Sequence, residues 1–268
     1  MSRIREIAAS AAANNKKLLI PYVVAGDPDL ATTLALLHQL VADGADIIEL
    51  GIPFSDPSSD GPVIQLGVER ALAGGTTLKD VLELVAKFRE TDTHTPVVLM
   101  GYLNPIERMG YEAFVDGSAA AGVDGVLVVD MPPVEAEGLR DQLQARDIDT
   151  IFLVAPTTTD TRCAQIAASC SGYLYYVSLK GVTGAALLDS DSVRLSIEKL
   201  RGMTQLPIVI GFGIKDADSA KAMGALADGV IIGSALVERV AELSSSSSAD
   251  LTAATAVIRE ARAALEQL

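Results

Sequence analysis

The chain predicts an α/β protein folded as a single (β/α)8 TIM barrel, with an extra helix before the first strand and an added helix after the last. Three observations carry this. Eight short β-branched or aliphatic runs, each bounded by turn residues, are spread along the 268 residues. Between consecutive runs lie stretches whose apolar residues recur at helical spacing, with polar outer faces. The runs are apolar almost throughout, as in strands covered by helices, so they run parallel, and eight such units at this length close on themselves. The runner-up is a doubly wound open sheet. That fold would carry a G-x-G-x-x-G fingerprint after the first strand, where Ala25-Gly26-Asp27-Pro28 stands instead.

The elements follow in order. Ile4, Ile7, Ala8 and Ala11 make residues 2–14 an amphipathic lead-in helix. Strands are expected at 18–24, 45–50, 96–102, 124–130, 149–155, 173–178, 207–211 and 228–233. Helices are expected between them, among others at 30–42, 63–72, 78–89, 134–146, 161–169 and 216–226. After the eighth strand comes one more helix, then a serine tract at 244–248 that reads as a loop. The final helix, 251–265, puts Ala254, Val257, Ile258, Ala261 and Leu265 on one face. Connections stay short, so residues 1–268 read as one catalytic domain.

Composition narrows the function. Lys+Arg 21 against Asp+Glu 35 gives a net charge of −14, with no clustered basic run, which argues against nucleic acid and against anionic lipid. The first ten residues carry Arg3, Arg5 and Glu6 and lack the apolar centre of a secretory signal. No apolar run approaches membrane-spanning length. A soluble, reducing, cytoplasmic setting is expected. Cys163 and Cys170, seven apart, suit one helix face and read as buried thiols, and two histidines cannot build a His-rich zinc site. No metal is expected.

In such a barrel the chemistry sits where strands end and helices begin. The second strand ends in Glu49 and runs into GIPFSDPSSDGP at 51–62. Ile47, Ile48, Leu50 and Ile52 surround Glu49 in sequence, so its carboxyl pKa is expected to rise toward the range of a general acid and base; the alternative is a solvated or salt-bridged group at the rim. Asp60 either faces Glu49 across the mouth or caps the helix that Gly61-Pro62 begins. Asp56, before Pro57, reads as a turn-former.

Gly211-Phe212-Gly213 closes strand seven and Gly233-Ser234 closes strand eight, each before a helical segment, which points to a phosphate held by backbone N–H groups, a hydroxyl and a helix start. Because no Arg or Lys is read in these loops, dipoles are expected to do the holding. The segment 178–192 after strand six reads as a lid, and its Lys180 opens a competing Schiff-base route. By period two, Tyr173 and Tyr175 share one face of strand six and Tyr176 takes the other, with at least one expected at the mouth or, alternatively, packed in the core.

With these residues in view, the pattern resembles the tryptophan synthase α chain family across essentially the whole chain. ELGIPFSDPSSDGPVIQ at 49–65 carries the resemblance, joined by AGDP (25–28), GYLNPI (101–106), VVDMPP (128–133), GVTGA (181–185) and GFGI (211–214). The resemblance implies a lyase: retro-aldol cleavage of indole-3-glycerol phosphate to indole and glyceraldehyde 3-phosphate in L-tryptophan biosynthesis. It implies that Glu49 moves the protons, that Asp60 stabilises the ring nitrogen, and that Tyr175 lies beside the substrate. By motif, Gly184, Gly213, Gly233 and Ser234 would hold the phosphate, while Tyr22, Leu99 and Leu127 would bound the indole.

The resemblance further implies a β-chain partner in an α2β2 complex, with pyridoxal phosphate in the β chain and no cofactor in this one. Asp56, Asn104 and Pro105 would then serve the interface or its loop signalling. Two departures stand out: Ser58-Ser59 replace an apolar residue and Ala before the catalytic Asp, and Leu179-Lys180 follow the strand-six serine where many relatives have Arg. Two other readings remain open at this point, a sugar-phosphate aldolase working through Lys180 and a degenerate barrel kept as a regulatory subunit.

Overall fold

The computed structural model describes residues 2–177, 190–211, 213–243 and 250–268. Its eight strands are β1 (Leu18–Val24), β2 (Ile48–Gly51), β3 (Val97–Gly101), β4 (Gly125–Val128), β5 (Asp149–Val154), β6 (Leu174–Val177), β7 (Ile208–Gly211) and β8 (Gly229–Ile232). Each pairs in parallel with its sequence neighbours, and β1 pairs with β8, so the barrel closes in chain order. Closure removes both sheet edges.

Strand alternation separates two apolar layers. Leu19, Val23, Ile48, Leu50, Leu99, Phe152, Leu174 and Tyr176 face outward onto the helices. Ile20, Tyr22, Ile47, Val98, Leu127, Ile151, Tyr173, Tyr175 and Ile231 face the axis. The outer helices are α2 (Leu30–Ala42), α3 (Pro62–Ala73), α4 (Leu78–Arg89), α5 (Leu103–Met109), α6 (Tyr111–Ala121), α7 (Glu137–Gln144), α8 (Asp160–Ser169), α9 (Ser190–Arg201), α10 (Ala217–Gly224) and α11 (Ser234–Leu243). Among the described residues, no helix is long and apolar enough to cross a membrane.

The lead-in helix α1 (Arg3–Ala13), capped by Ser2, closes the foot of the barrel. Ile4 is fully buried and joins the axial core, while Arg3 and Arg5 on either side reach Asp124 at 2.8 Å and Asp149 at 2.6 Å. Arg89 reaches the second oxygen of Asp124 at 2.7 Å. Cys163 is a buried free thiol on α8, but Cys170 does not share its helix face: it stands past the last residue of α8 in extended backbone, half-buried as a residue, with its thiol pushed up to about 12 by burial.

The departures from expectation have local causes. The final helix breaks in two, α12 (Leu251–Ala254) and α13 (Ala256–Leu265). Thr255, fully buried between them, donates its hydroxyl to Asp43 on the end of α2, a tertiary tie that periodicity does not show. Helix α7 starts three residues late because Glu135 and Ala136 both donate to the carbonyl of Pro132 in a turn. The serine tract and the 178–189 part of the expected lid lie outside the described residues.

Candidate active site at the carboxyl ends of the strands

Glu49 points inward from β2. It is fully buried; Tyr173 donates its hydroxyl to Oε1 at 2.5 Å, and Oε2 has no hydrogen-bond partner among the described residues. Burial without a cation raises its pKa to about 7, with the Tyr173 bond partly opposing the shift. That burial, with no ion pair to Glu49 among the described residues, removes the solvated or salt-bridged alternative; a carboxyl so placed can hold or release a proton near neutrality.

Asp60 ends the loop that leaves β2. The cap position of α3 is Gly61, which makes no side-chain cap bond, so Asp60 is not the helix cap. Its Oδ2 instead accepts from the Tyr102 hydroxyl at 2.8 Å, and the same hydroxyl accepts from the Ser59 backbone N–H at 3.0 Å. Burial raises the Asp60 pKa, and the Tyr102 bond opposes it. Two serines before Asp60 are thus compatible with an anchored loop, one of them through its backbone.

Both acids line one cavity of about 260 Å³ over the strand ends. Tyr22, Met100, Ile231 and Tyr175 supply walls, and Gly213, Gly233 and Ser234 line the same space. Two glycines make room for the rings. A Cβ on Gly51 would stand 2.3 Å from the Tyr22 hydroxyl, and one on Gly211 would stand 2.2 Å from the Tyr175 hydroxyl. No side chain can replace hydrogen there while the tyrosines keep their places.

Strand parity held for β6: Tyr173 and Tyr175 face the axis and Tyr176 faces the helices. The indole-wall residues are partly corrected. Tyr22 lines the cavity, but Leu99 lies in the outer layer and Leu127 is not among the lining residues; Met100, one residue beyond Leu99 and of opposite parity, takes that place. The loop after strand seven is also less neutral than expected, because Lys215, two residues past Gly213, lines the cavity. Gly184, Lys180 and Phe212 lie outside the described residues.

The roles of three residues were not visible in the sequence, although each stood in a stretch already singled out. Tyr102, just past β3, and Tyr173, just before β6, hold the two acids from 42 and 124 residues away, and Asp27 in AGDP grips Arg70 of α3 through paired bonds of 2.7 and 2.8 Å. That fork ties the helix behind Asp60 to the loop after β1. On the outer rim, Asp56 is exposed and accepts from the Ser55 hydroxyl at 2.6 Å, and Asn104 and Pro105 open α5 with Asn104 exposed.

A larger depression of about 440 Å³ lies at the opposite end, bordered by α1, Lys16, Lys17 and Arg201. Its cations are engaged, by Asp46, the Ala227 carbonyl and Asp228 respectively, and Asp228, the one acid lining it among the described residues, is held by Arg201. Size alone does not locate the chemistry.

Comparison with known proteins agrees with this geometry. Residues 8–266 match the family described as "Tryptophan synthase alpha chain". The tryptophan synthase alpha chain of Marinobacter nauticus is 52% identical over 268 residues, covering 100% of this chain and 99% of that one. That of Neisseria gonorrhoeae is 54% identical over 265 residues, covering 99% and 100%. The crystal structure of tryptophan synthase subunit alpha from Legionella pneumophila superposes with a TM-score of 0.93 at 43% identity, covering 100% of both chains. The chain belongs to the tryptophan synthase alpha chain family, the lyase subunits that work beside a β chain and cleave indole-3-glycerol phosphate in tryptophan biosynthesis.

Proposed function

We propose that Glu49 and Asp60 carry the α reaction, with Glu49 as the proton carrier and Asp60 as the partner of the indole nitrogen. The supporting observation is the state of Glu49: buried, with neither a cation nor a partner for Oε2 among the described residues, and poised near pH 7. A general acid and base works best when its pKa lies near the working pH.

Cleavage needs a proton delivered to indole C3 and another removed from the hydroxyl on the adjoining side-chain carbon. Protonation at C3 leaves a cationic indolenine nitrogen. The carboxylate of Asp60, short of solvent, is then matched by a positive charge that exists only as the reaction proceeds, so the interaction favours the transition state over the bound substrate. Loss of the hydroxyl proton breaks the C–C bond, the aldehyde leaves, and the electron pair restores the indole. Tyr22, Tyr175, Met100 and Ile231 offer the ring a largely apolar slot.

The phosphate goes to the glycines and Ser234 at the ends of β7 and β8, with Gly184 completing that end by motif. Ser234 opens the ten-residue α11, whose first amides have no acceptor within the helix and point a positive dipole end at the site. Asp56, Asn104 and Pro105 form the docking rim for the β chain, supported by Val134, 74% exposed in the neighbouring loop after β4. The assembly is α2β2 and cytoplasmic, pyridoxal phosphate belongs to the β chain, and one barrel domain carries the whole α reaction.

The test is Glu49→Gln, assayed as indole release with saturating β chain. Turnover should fall roughly 10²–10⁴-fold, while affinity for indole-3-propanol phosphate, which keeps ring and phosphate but lacks the reacting hydroxyl, stays within about threefold. Retained turnover refutes the assignment.

A further inference from the structure

The cavity is an unfriendly place for a dianion. Two carboxyls, Glu49 and Asp60, line it, and the chain as a whole carries a charge of −14. Backbone dipoles at Gly213, Gly233 and Ser234 contribute partial charges only. Among the described residues that line this space, one carries a full positive charge: Lys215.

Its placement is not incidental to the loop. Gly213 takes a left-handed φ of +76°, turning the chain just past the end of β7. Ile214 is then buried, and the Lys215 backbone N–H donates to the Ser219 hydroxyl at 3.1 Å. Asp216, the next residue, turns its carboxylate to the amide and hydroxyl of Ser219 as the cap of α10. Thus the nearest acid in sequence is bonded into the helix, and although the Lys215 charge still acts on it, no carboxylate of the described residues lies within ion-pair distance of the Lys215 ammonium; the residue is exposed and lines the cavity.

We infer that Lys215 is a binding residue for the phosphate of the substrate, adding a long-range charge to a cradle otherwise made of dipoles and a hydroxyl. The inference rests on the reading of the β7 and β8 loops as the phosphate end of the site. An ammonium at an open rim attracts a dianion before contact and holds it weakly afterwards, so the effect belongs in KM and in its salt dependence rather than in the chemical step.

The experiment compares wild type, Lys215→Gln and Lys215→Arg in complex with the β chain. Lys215→Gln should raise KM for indole-3-glycerol phosphate about three- to tenfold, leave kcat within twofold, and flatten the rise of KM between 50 and 200 mM salt; Lys215→Arg should restore most of the loss. Binding of indole-3-propanol phosphate should weaken in step with KM, whereas indole-3-propanol, which has no phosphate, should bind both proteins alike. An unchanged KM and analogue affinity in Lys215→Gln overturns the inference, as does a fall in kcat with analogue binding intact. A wild-type chain that distinguishes neither analogue defeats the phosphate reading itself, and this assignment with it.

Discussion

Carboxylates wholly or partly withdrawn from water stand at both ends of the barrel, and their partners differ. At the foot, Asp124 receives Arg3 and Arg89 as well as the Val97 backbone N–H at 2.8 Å, and Asp149 receives Arg5 and the Ser2 hydroxyl. At the mouth, Glu49 and Asp60 receive one phenol each, Tyr173 and Tyr102. A guanidinium compensates the charge of a buried carboxylate and turns it into a strut between elements. A phenol offsets only part of the desolvation, and it leaves the acid free to exchange a proton. The same residue type therefore serves as a structural tie or as a reactive group according to what the other strands place beside it.

The comparison can be broken most forcefully at the foot. Asp124→Ala should cost about 3 kcal/mol, because it takes the carboxylate from the largely buried Arg89 and leaves the Val97 amide without its acceptor, while Arg3, 35% exposed, can turn to water. Urea unfolding measures the loss, and the folded fraction should keep kcat/KM within about twofold. A variant that instead loses activity with stability intact would erase the distinction between the two ends.

At the mouth the sign reverses. Glu49 has a folded pKa of about 7 against an ordinary value of 4.5, so between those limits the folded chain binds a proton that the unfolded chain has released. Its contribution is most favourable below about pH 4.5 and is lost as pH rises through about 7. Glu49→Gln, which can still accept from Tyr173, should therefore stabilise the protein at pH 8 by roughly 3 kcal/mol at most and have little effect near pH 4. Thermal midpoints at the two pH values decide this. Equal shifts at both would show that Glu49 is not held near neutrality.

The smallest effect sharpens the comparison. Tyr173→Phe removes the bond that favours the charged form of Glu49, so the pH–rate limb near 7 should move upward by on the order of one unit. A downward move would mean that the phenol does not steady the carboxylate.

Glu49 was legible because its place at a strand end and its apolar neighbours in sequence are local facts; they pointed to a desolvated acid but left a solvated or salt-bridged rim position open, which burial then decided. Tyr173 was read as an inward residue, but that it meets Glu49 depends on how the barrel closes. Tyr102 sat inside a recognised motif without its role being visible, since the loop before Asp60 had to fold back onto β3 first. Leu99 and Met100 show how far one residue matters: a shift of one along a strand exchanges the axis for the helix layer. Lys215 escaped because the strand-seven loop was read as ending at its glycines.

By itself the amino-acid sequence determined the repeating order of strand and helix, the absence of basic patches, and the acids and glycines concentrated at strand ends, because periodicity, charge and turn chemistry belong to short stretches of chain. Tertiary structure alone decided which phenol holds which acid, which arginines tie the foot, and that Thr255 breaks the last helix by reaching Asp43. Those pairings join residues tens to hundreds of positions apart, and they exist only once closure of the barrel has set the register of every strand against the next.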